Sequence, residues 1–345
     1  MSQTALIVTE VGKPLVRTER PIPTPAENQI QVKVTVAGLN PHDEKARDTG
    51  LFIADKLPAV LANDVVGIVT ALGSGVSTRR VGDRIVGHSG MVPGWLQTGL
   101  QEYVVLDVPF TAVIPKGISD DEAATLPTNI IAPLVALFND ESGLGIPAPW
   151  TKEAEDFDYK GKTLLIVGGG SNCGKFGVQL AKLAGIGKIV VVGSKRSEEE
   201  VKRYGATHVL YRDTEDVLGQ IREIVGDDLV YAYDAVNPPE GQLLALNALS
   251  NHKKGKLARL LPRPIDESRI KGKTAGFEIK NVFGLSHVRP DLCAPFWERV
   301  PGYLESGKII PLSFQAVEGL DADKVNRELD KYRDGEAVQK IHVHP

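Results

Sequence analysis

"TLLIVGGGSNCGKFGVQLAKLAG", residues 163–185, runs from an apolar strand through a glycine-rich turn into an amphipathic helix without interruption. Strand, tight turn and helix in one unit form the phosphate-cradling element of a nucleotide-binding fold. Gly168, Gly169 and Gly170 let the backbone approach a pyrophosphate closely, and Gly174 opens the helix, whose N-terminal amides favour an anion. Ser171 and Asn172 stand where a diphosphate needs donors, while Cys173 takes a small-residue position rather than that of a nucleophile. The spacing is G-x-G-x-x-x-G, one residue longer than the usual fingerprint.

The following strand says which ligand to expect. An NAD-specific fold places an acid about 20 residues beyond the turn, on the ribose hydroxyls. Here the strand ends "VVVGSKRSEE", so Gly193 and Ser194 replace the acid, with Lys195 and Arg196 next to them. Those cations attract a 2′-phosphate, and NADPH is expected rather than NADH. S-adenosylmethionine proteins also use glycine-rich turns, but they want an acid at this strand end.

Outward from the turn the chain alternates strand and helix. "TLLIVGG", "KIVVVGS", "THVLYR", "DLVYAYDAV", "GKLARLL" and "EIKNVFGL" read as buried strands. "GKFGVQLAKLAG", "SEEEVKRYG" and "TEDVLGQIREIVG" read as helices between them. Such alternation predicts an α/β fold with a doubly wound, parallel, six-stranded sheet. The first 115 or so residues are β-rich, with strands in "QIQVKVTVAGL", "DVVGIVTALG", "DRIVG" and "QEYVVL". Ser119 followed by acids marks a helix start, and Pro127 and Pro133 predict a kink or two short helices. "PLSFQAVEG", "ADKVNRELDKYRDG" and "VQKIHVHP" predict strand, helix and strand returning to the N-terminal part.

A balance of 40 basic against 44 acidic side chains argues against nucleic acid or an anionic membrane as partner. The chain has no apolar run of about 20 residues to span a bilayer, and "MSQTALIVTE" has no pattern of a secretory signal. Two distant cysteines, Cys173 and Cys293, exclude a disulfide framework or a cysteine-rich zinc site. A soluble, cytoplasmic protein is expected.

"GDRIVG", "EYVVL", "AATLP", the glycine-rich turn and "YGATHVLYR" occur in this order, and the whole chain thereby resembles the medium-chain dehydrogenase/reductases. "GLNPHDEK", "AATLPTNIIAPLVALF" and "LGIPAPW" are most similar to the fungal trans-acting enoyl-reductase-like branch of the zinc-free quinone and enoyl reductases. The resemblance implies a GroES-like, β-rich catalytic domain over residues 1–125 and 306–345, and a Rossmann domain over residues 126–305. Zinc members hold their metal through a cysteine after the first long strand and a histidine–glutamate pair in the next. This chain has Asn40 and Asn63–Asp64 at those places, so no metal is expected.

Without a Lewis acid, a conjugated acceptor suits the site better than a plain carbonyl. The expected function is hydride transfer from NADPH to the C=C bond of an enoyl or polyketide-like substrate, free or carried on a synthase. The alternatives are a quinone oxidoreductase of the same fold and a non-catalytic NADPH-binding partner protein. The resemblance places the loop "NPHDEKARD" near the nicotinamide, with Lys45 as proton donor or enolate stabiliser and His42 as a second candidate. It also matches Tyr211 to a tyrosine of the 2′-phosphate pocket, Leu260 and the Phe283–Gly284 stretch to segments flanking the nicotinamide, and Lys340 to a lysine that reaches the cofactor phosphates. A threonine that relatives carry near the cofactor falls at Ala132 or Pro133, where Thr128 and Asn129 are the nearby polar residues. A monomer and a homodimer pairing through "NVFGLSH" are both compatible with the sequence.

Overall fold

The computed structural model describes residues 1–336 and 338–345. Backbone contacts divide the chain into two units, one of Met1–Thr128, Leu285–Gly307 and Pro311–Pro345, the other of Asn129–Gly284 and Lys308–Ile310.

The second unit is built on a six-stranded sheet, all parallel. Its strands lie in the order His208–Tyr211, Lys188–Gly193, Thr163–Val167, Tyr231–Asp234, Gly255–Arg259, Phe277–Asn281. The apolar runs read from the sequence are these strands, because a sheet covered by helices on both faces buries both sides of each strand. Thr163–Val167 has its two successors in the sheet on opposite sides, Lys188–Gly193 on one and Tyr231–Asp234 on the other. This is the topological switch point, where open α/β sheets bind ligands at the carboxyl ends of strands.

The larger sheet of the first unit runs Phe314–Glu318, Lys340–His344, Gln29–Leu39, Asp64–Leu72, Arg84–His88, Thr111–Val113, with Tyr103–Asp107 also on Gln29–Leu39. The C-terminal strand returns as expected and pairs antiparallel with the first long strand, Ile341 opposite Leu39 and His342 opposite Gly38. A capping box, Ser119 with Glu122, starts helix Asp120–Ala124, and a second helix follows at Pro127–Phe138 with Pro133 inside it. Pro127 therefore opens the second helix, and Pro133 lies within it without ending it.

The division differs from the sequence reading at three places: residues 126–128 fall in the first unit, 308–310 in the second, and the largest shift lies within 285–307. Residues 285–307 belong with the first unit, not with the Rossmann unit. Their helix, Pro290–Glu305, packs on Thr111–Val113 and the turn before it. Its buried Trp297 donates to Ser286, which also meets His88 of the β domain. Pro295 and Pro301 inside the helix hid it from pattern reading. Among the described residues, no helix is long and apolar enough to cross a membrane.

Candidate active site

In the Rossmann unit the turn is built around Ser171. Its hydroxyl accepts the Gly174 N–H at 3.1 Å and donates to the Gly168 carbonyl at 2.8 Å, capping helix Asn172–Ala184. The hydroxyl proton of Ser171 is thus spent inside the turn, and the phosphate donors left to this stretch are backbone amides and Asn172. A Cβ at Gly174 would come within 2.3 Å of the Gly168 carbonyl oxygen, so only glycine allows the helix to begin this close to the strand. The first amides of a helix have no intrahelical acceptor. This glycine turn and helix start fit the diphosphate of a dinucleotide.

Cys173 is half-buried with its thiol 3.9 Å from the Asn129 amide oxygen. At the end of the second strand, Lys195 and Arg196 are exposed and form no ion pair among the described residues. Ser194 is half-buried, its hydroxyl 3.4 Å from that of Ser197. Tyr211 donates to Glu198 at 2.5 Å, and Glu198 also takes Lys202 at 2.6 Å. The tyrosine hydroxyl is therefore committed to a carboxylate, and the two exposed cations are what the chain offers a 2′-phosphate. The Leu260 N–H is held by Asn237 at 2.8 Å. Gly284 packs so tightly on Ala132 that a Cβ on it would lie 2.6 Å from the Ala132 Cα. No hydroxyl occupies that position.

In the β domain, strand register brings a charged cluster together. Gly38 lies opposite Asp64 on one neighbouring strand and opposite His342 on the other. Lys340 reaches across this gap and bonds Asp64 Oδ2, with Asn40 Oδ1 at 2.9 Å from its ammonium. A Cβ at Gly38 would sit 2.9 Å from the Asp64 Cβ and 3.0 Å from the Lys340 Nζ, so the glycine clears the path. Lys340 is 1% exposed and Asp64 0%. The expected reach of Lys340 to cofactor phosphates is not what its side chain does, because a buried carboxylate claims the ammonium. Burial alone raises the Asp64 carboxyl, but Lys340 and His88 outweigh it and hold it at about 2.

Two hydrogen-bond chains leave this cluster side by side, since Asp64 pairs with His88 in the sheet. In one, Asn63 Nδ2 donates to the Ser89 carbonyl at 3.1 Å and its Oδ1 faces His42 Nε2 at 3.0 Å. A backbone carbonyl only accepts, so the amide orientation is set and His42 must donate through Nε2. In the other chain, Asp64 Oδ1 accepts the Thr128 N–H at 2.7 Å, and the Thr128 hydroxyl stands 3.5 Å from His88 Nε2. Asp43 ties the loops by accepting the N–H of Asn40 at 2.7 Å and of Ala62 at 2.9 Å. Lys45, on helix Pro41–Thr49, pairs with Glu44 at 3.1 Å and is one-third exposed, its side chain at 34%. Beside His42 and Asn63 lies a small cavity of about 20 Å³ walled by Phe52, Ile53, Met91 and Trp95.

Residues 26–116 match the alcohol dehydrogenase GroES-like domain, and residues 173–259 match the zinc-binding dehydrogenase domain. Dehydrogenase orsE of Emericella nidulans is 29% identical over 97% of this chain and 97% of its own. Trans-enoyl reductase RAP2 of Pyricularia oryzae is 31% identical over 72% of this chain and 68% of its own. The chain belongs to the medium-chain dehydrogenase/reductase superfamily. Its likeness within the superfamily is to the enoyl-reductase-like members. The fold agrees: the crystal structure of CurK enoyl reductase superposes with a TM-score of 0.78 over 99% of both chains at 20% identity.

For a medium-chain dehydrogenase/reductase, the positions that bear zinc ligands in the zinc members are filled in a specific way. Asn40 serves the Lys340 ammonium and Asn63 bridges His42 and Ser89. Among the described residues, no group of three or more His, Cys, Asp or Glu side chains is arranged to hold a metal ion. His88 and Ser286 escaped sequence reading altogether. The one signal for His88 was a polar residue closing an otherwise apolar strand, Arg84–His88.

Proposed function

We propose that the chain is an NADPH-dependent reductase that saturates the conjugated C=C bond of an enoyl or polyketide-like acceptor without zinc. The observation that carries this reading is the Lys340 ammonium seated on Asp64 and Asn40. A dication at that place would have to displace the Lys340 ammonium from Asp64, with the neutral amides of Asn40 and Asn63 as its remaining ligands. Thiolate and imidazole are the donors zinc prefers. The residues therefore do not fit zinc.

The glycine cradle, the helix amides and the Lys195–Arg196 pair fit a dinucleotide carrying a 2′-phosphate. When bound, NADPH supplies hydride. The protein's part is to orient a conjugated acceptor, stabilise charge on its oxygen and provide a proton. Hydride addition at the β-carbon drives the π pair toward the carbonyl oxygen, and the α-carbon then takes a proton. Lys45 and the Nδ1 of His42, when the ring is doubly protonated, are the candidate proton sources. The name of the Pyricularia relative, a trans-enoyl reductase, supports the same acceptor class.

The test follows NADPH oxidation by near-UV absorbance with a 2-enoyl thioester, a small quinone and a simple aldehyde. Turnover of the thioester by metal-free protein is expected. Turnover of the quinone alone would make the chain a quinone reductase. Reduction of the aldehyde by protein holding one zinc per chain would overturn the proposal. NADPH binding without any turnover would leave the partner-protein reading.

A further inference from the structure

We propose that the hydroxyl of Thr128 is the hydrogen-bond donor to the acceptor's carbonyl oxygen, positioned by a buried chain that runs through His88 to Ser286 and Trp297. It deepens the reductase reading above and rests on it.

The proton inventory of the chain sets the direction. Trp297 Nε1 is donor only and gives its proton to Ser286 Oγ at 3.1 Å. Ser286 must then place its own proton. Its neighbours are His88 Nδ1 at 3.0 Å and the thiol of Cys293. An imidazole nitrogen is a far stronger acceptor than a thiol sulfur, so the serine donates to Nδ1. His88 is 2% exposed, and burial outweighs the pull of Asp64, lowering its pKa to about 3. The ring is therefore neutral, and with Nδ1 accepting, its single proton sits on Nε2. That nitrogen stands 3.5 Å from Thr128 Oγ1, a long contact in which the imidazole is the donor. The threonine oxygen is left as acceptor on this side, and its own proton is free to turn outward.

Three further features fit a donor to substrate. Thr128 is half-buried, in contrast to His88 and Ser286 behind it. Its backbone is fixed by the 2.7 Å bond from its N–H to Asp64, itself anchored by Lys340. The alternative position for a hydroxyl, Ala132, carries none and is closed by Gly284. A preset donor of this kind gains strength as negative charge gathers on the acceptor oxygen during hydride addition.

The experiment compares the full-length protein with T128V and T128S. The probe is the N-acetylcysteamine thioester of trans-2-hexenoic acid. Two readings are taken: steady-state NADPH oxidation, and the infrared carbonyl band of the probe bound in the presence of NADP⁺, where no turnover occurs. Valine keeps the shape of threonine and removes only the hydroxyl. T128V should lower kcat about 100-fold, the loss typical of one oxyanion donor, with NADPH affinity unchanged. It should also move the bound carbonyl band to higher frequency, and T128S should restore both. Wild-type turnover and an unmoved band in T128V would overturn the proposal, as would a serine variant as impaired as the valine one. If the wild type binds the thioester without reducing it, the reductase reading fails while the carbonyl band still decides the hydroxyl's role.

Discussion

Replacing Lys340 by methionine should expose how strongly the buried pair governs the β domain. The variant keeps most of the side-chain volume and removes the charge that Asp64 faces. Asp64 would then be a fully buried carboxylate supported by the Thr128 N–H and the Asn40 amide. Breaking a buried pair from one side costs about 3–5 kcal/mol. In a unit of this size that lowers Tm by roughly 6–20 °C, at about 2–4 °C per kcal/mol. The sign of the pH dependence is the sharper reading. In the wild type the folded carboxyl is held at about 2, below its ordinary 3.8. That contributes roughly 2 kcal/mol, present above the unfolded value and lost as pH falls through the folded one. In K340M the main cause of the depression is gone and burial raises the carboxyl instead. The folded variant then binds its proton more readily than the unfolded chain, so its deficit shrinks as pH falls from 7 to 4. K340M/D64N should return to within about 2 kcal/mol of wild type, since no charge is left buried. Urea titrations of the three proteins between pH 4 and 7, followed by tryptophan fluorescence, measure all of this. A single-variant cost below about 1 kcal/mol, or one that does not vary with pH, would refute the reasoning.

Lys195→Ala should weaken NADPH by about 10–100-fold, the worth of a charge-assisted bond, and leave NADH within about threefold. Fluorescence titration with both cofactors checks it, and equal weakening would remove Lys195 from cofactor choice. Lys45→Ala should slow turnover by about 100-fold or more if Lys45 delivers the proton, with NADPH affinity intact; single-turnover kinetics in H₂O and D₂O distinguish this from a surface role. Asp121 accepts from His342 Nδ1 at 2.8 Å and His344 Nε2 at 3.0 Å; burial is the largest single influence on His344 and lowers it, but Asp121 and Glu318 together outweigh it and leave the imidazole raised. A raised histidine adds stability that is complete below its unfolded value and lost as pH rises through the folded one. The Tm loss of Asp121→Asn should therefore be larger at pH 6 than at pH 8, and thermal scans showing the reverse would contradict that assignment.

The Rossmann half was legible because its signals are local. A β-branched run, a glycine turn and a capped helix are consecutive in sequence, and the absence of an acid after "VVVG" can be read at one position. The candidate catalytic loop was legible only through resemblance, since a lysine and a histidine beside a proline carry no pattern of their own. Helix Pro290–Glu305 was not read from the sequence because its internal prolines argue against a helix, whereas burial of Phe296 and Trp297 holds it.

The sequence by itself therefore determined the doubly wound sheet and the phosphate turn, since each rests on residues near one another along the chain, while Asn40 and Asn63–Asp64 were matched to the zinc positions through the resemblance. Only the tertiary structure decided what fills those positions. Lys340 meets Asp64 because strand 340–344 and strand 64–72 flank the same neighbour, and Gly38 between them has no side chain. The chain from Trp297 through Ser286 and His88 to Thr128 likewise joins segments far apart in sequence. Register and burial set those partners, and neither is written in any local stretch of residues.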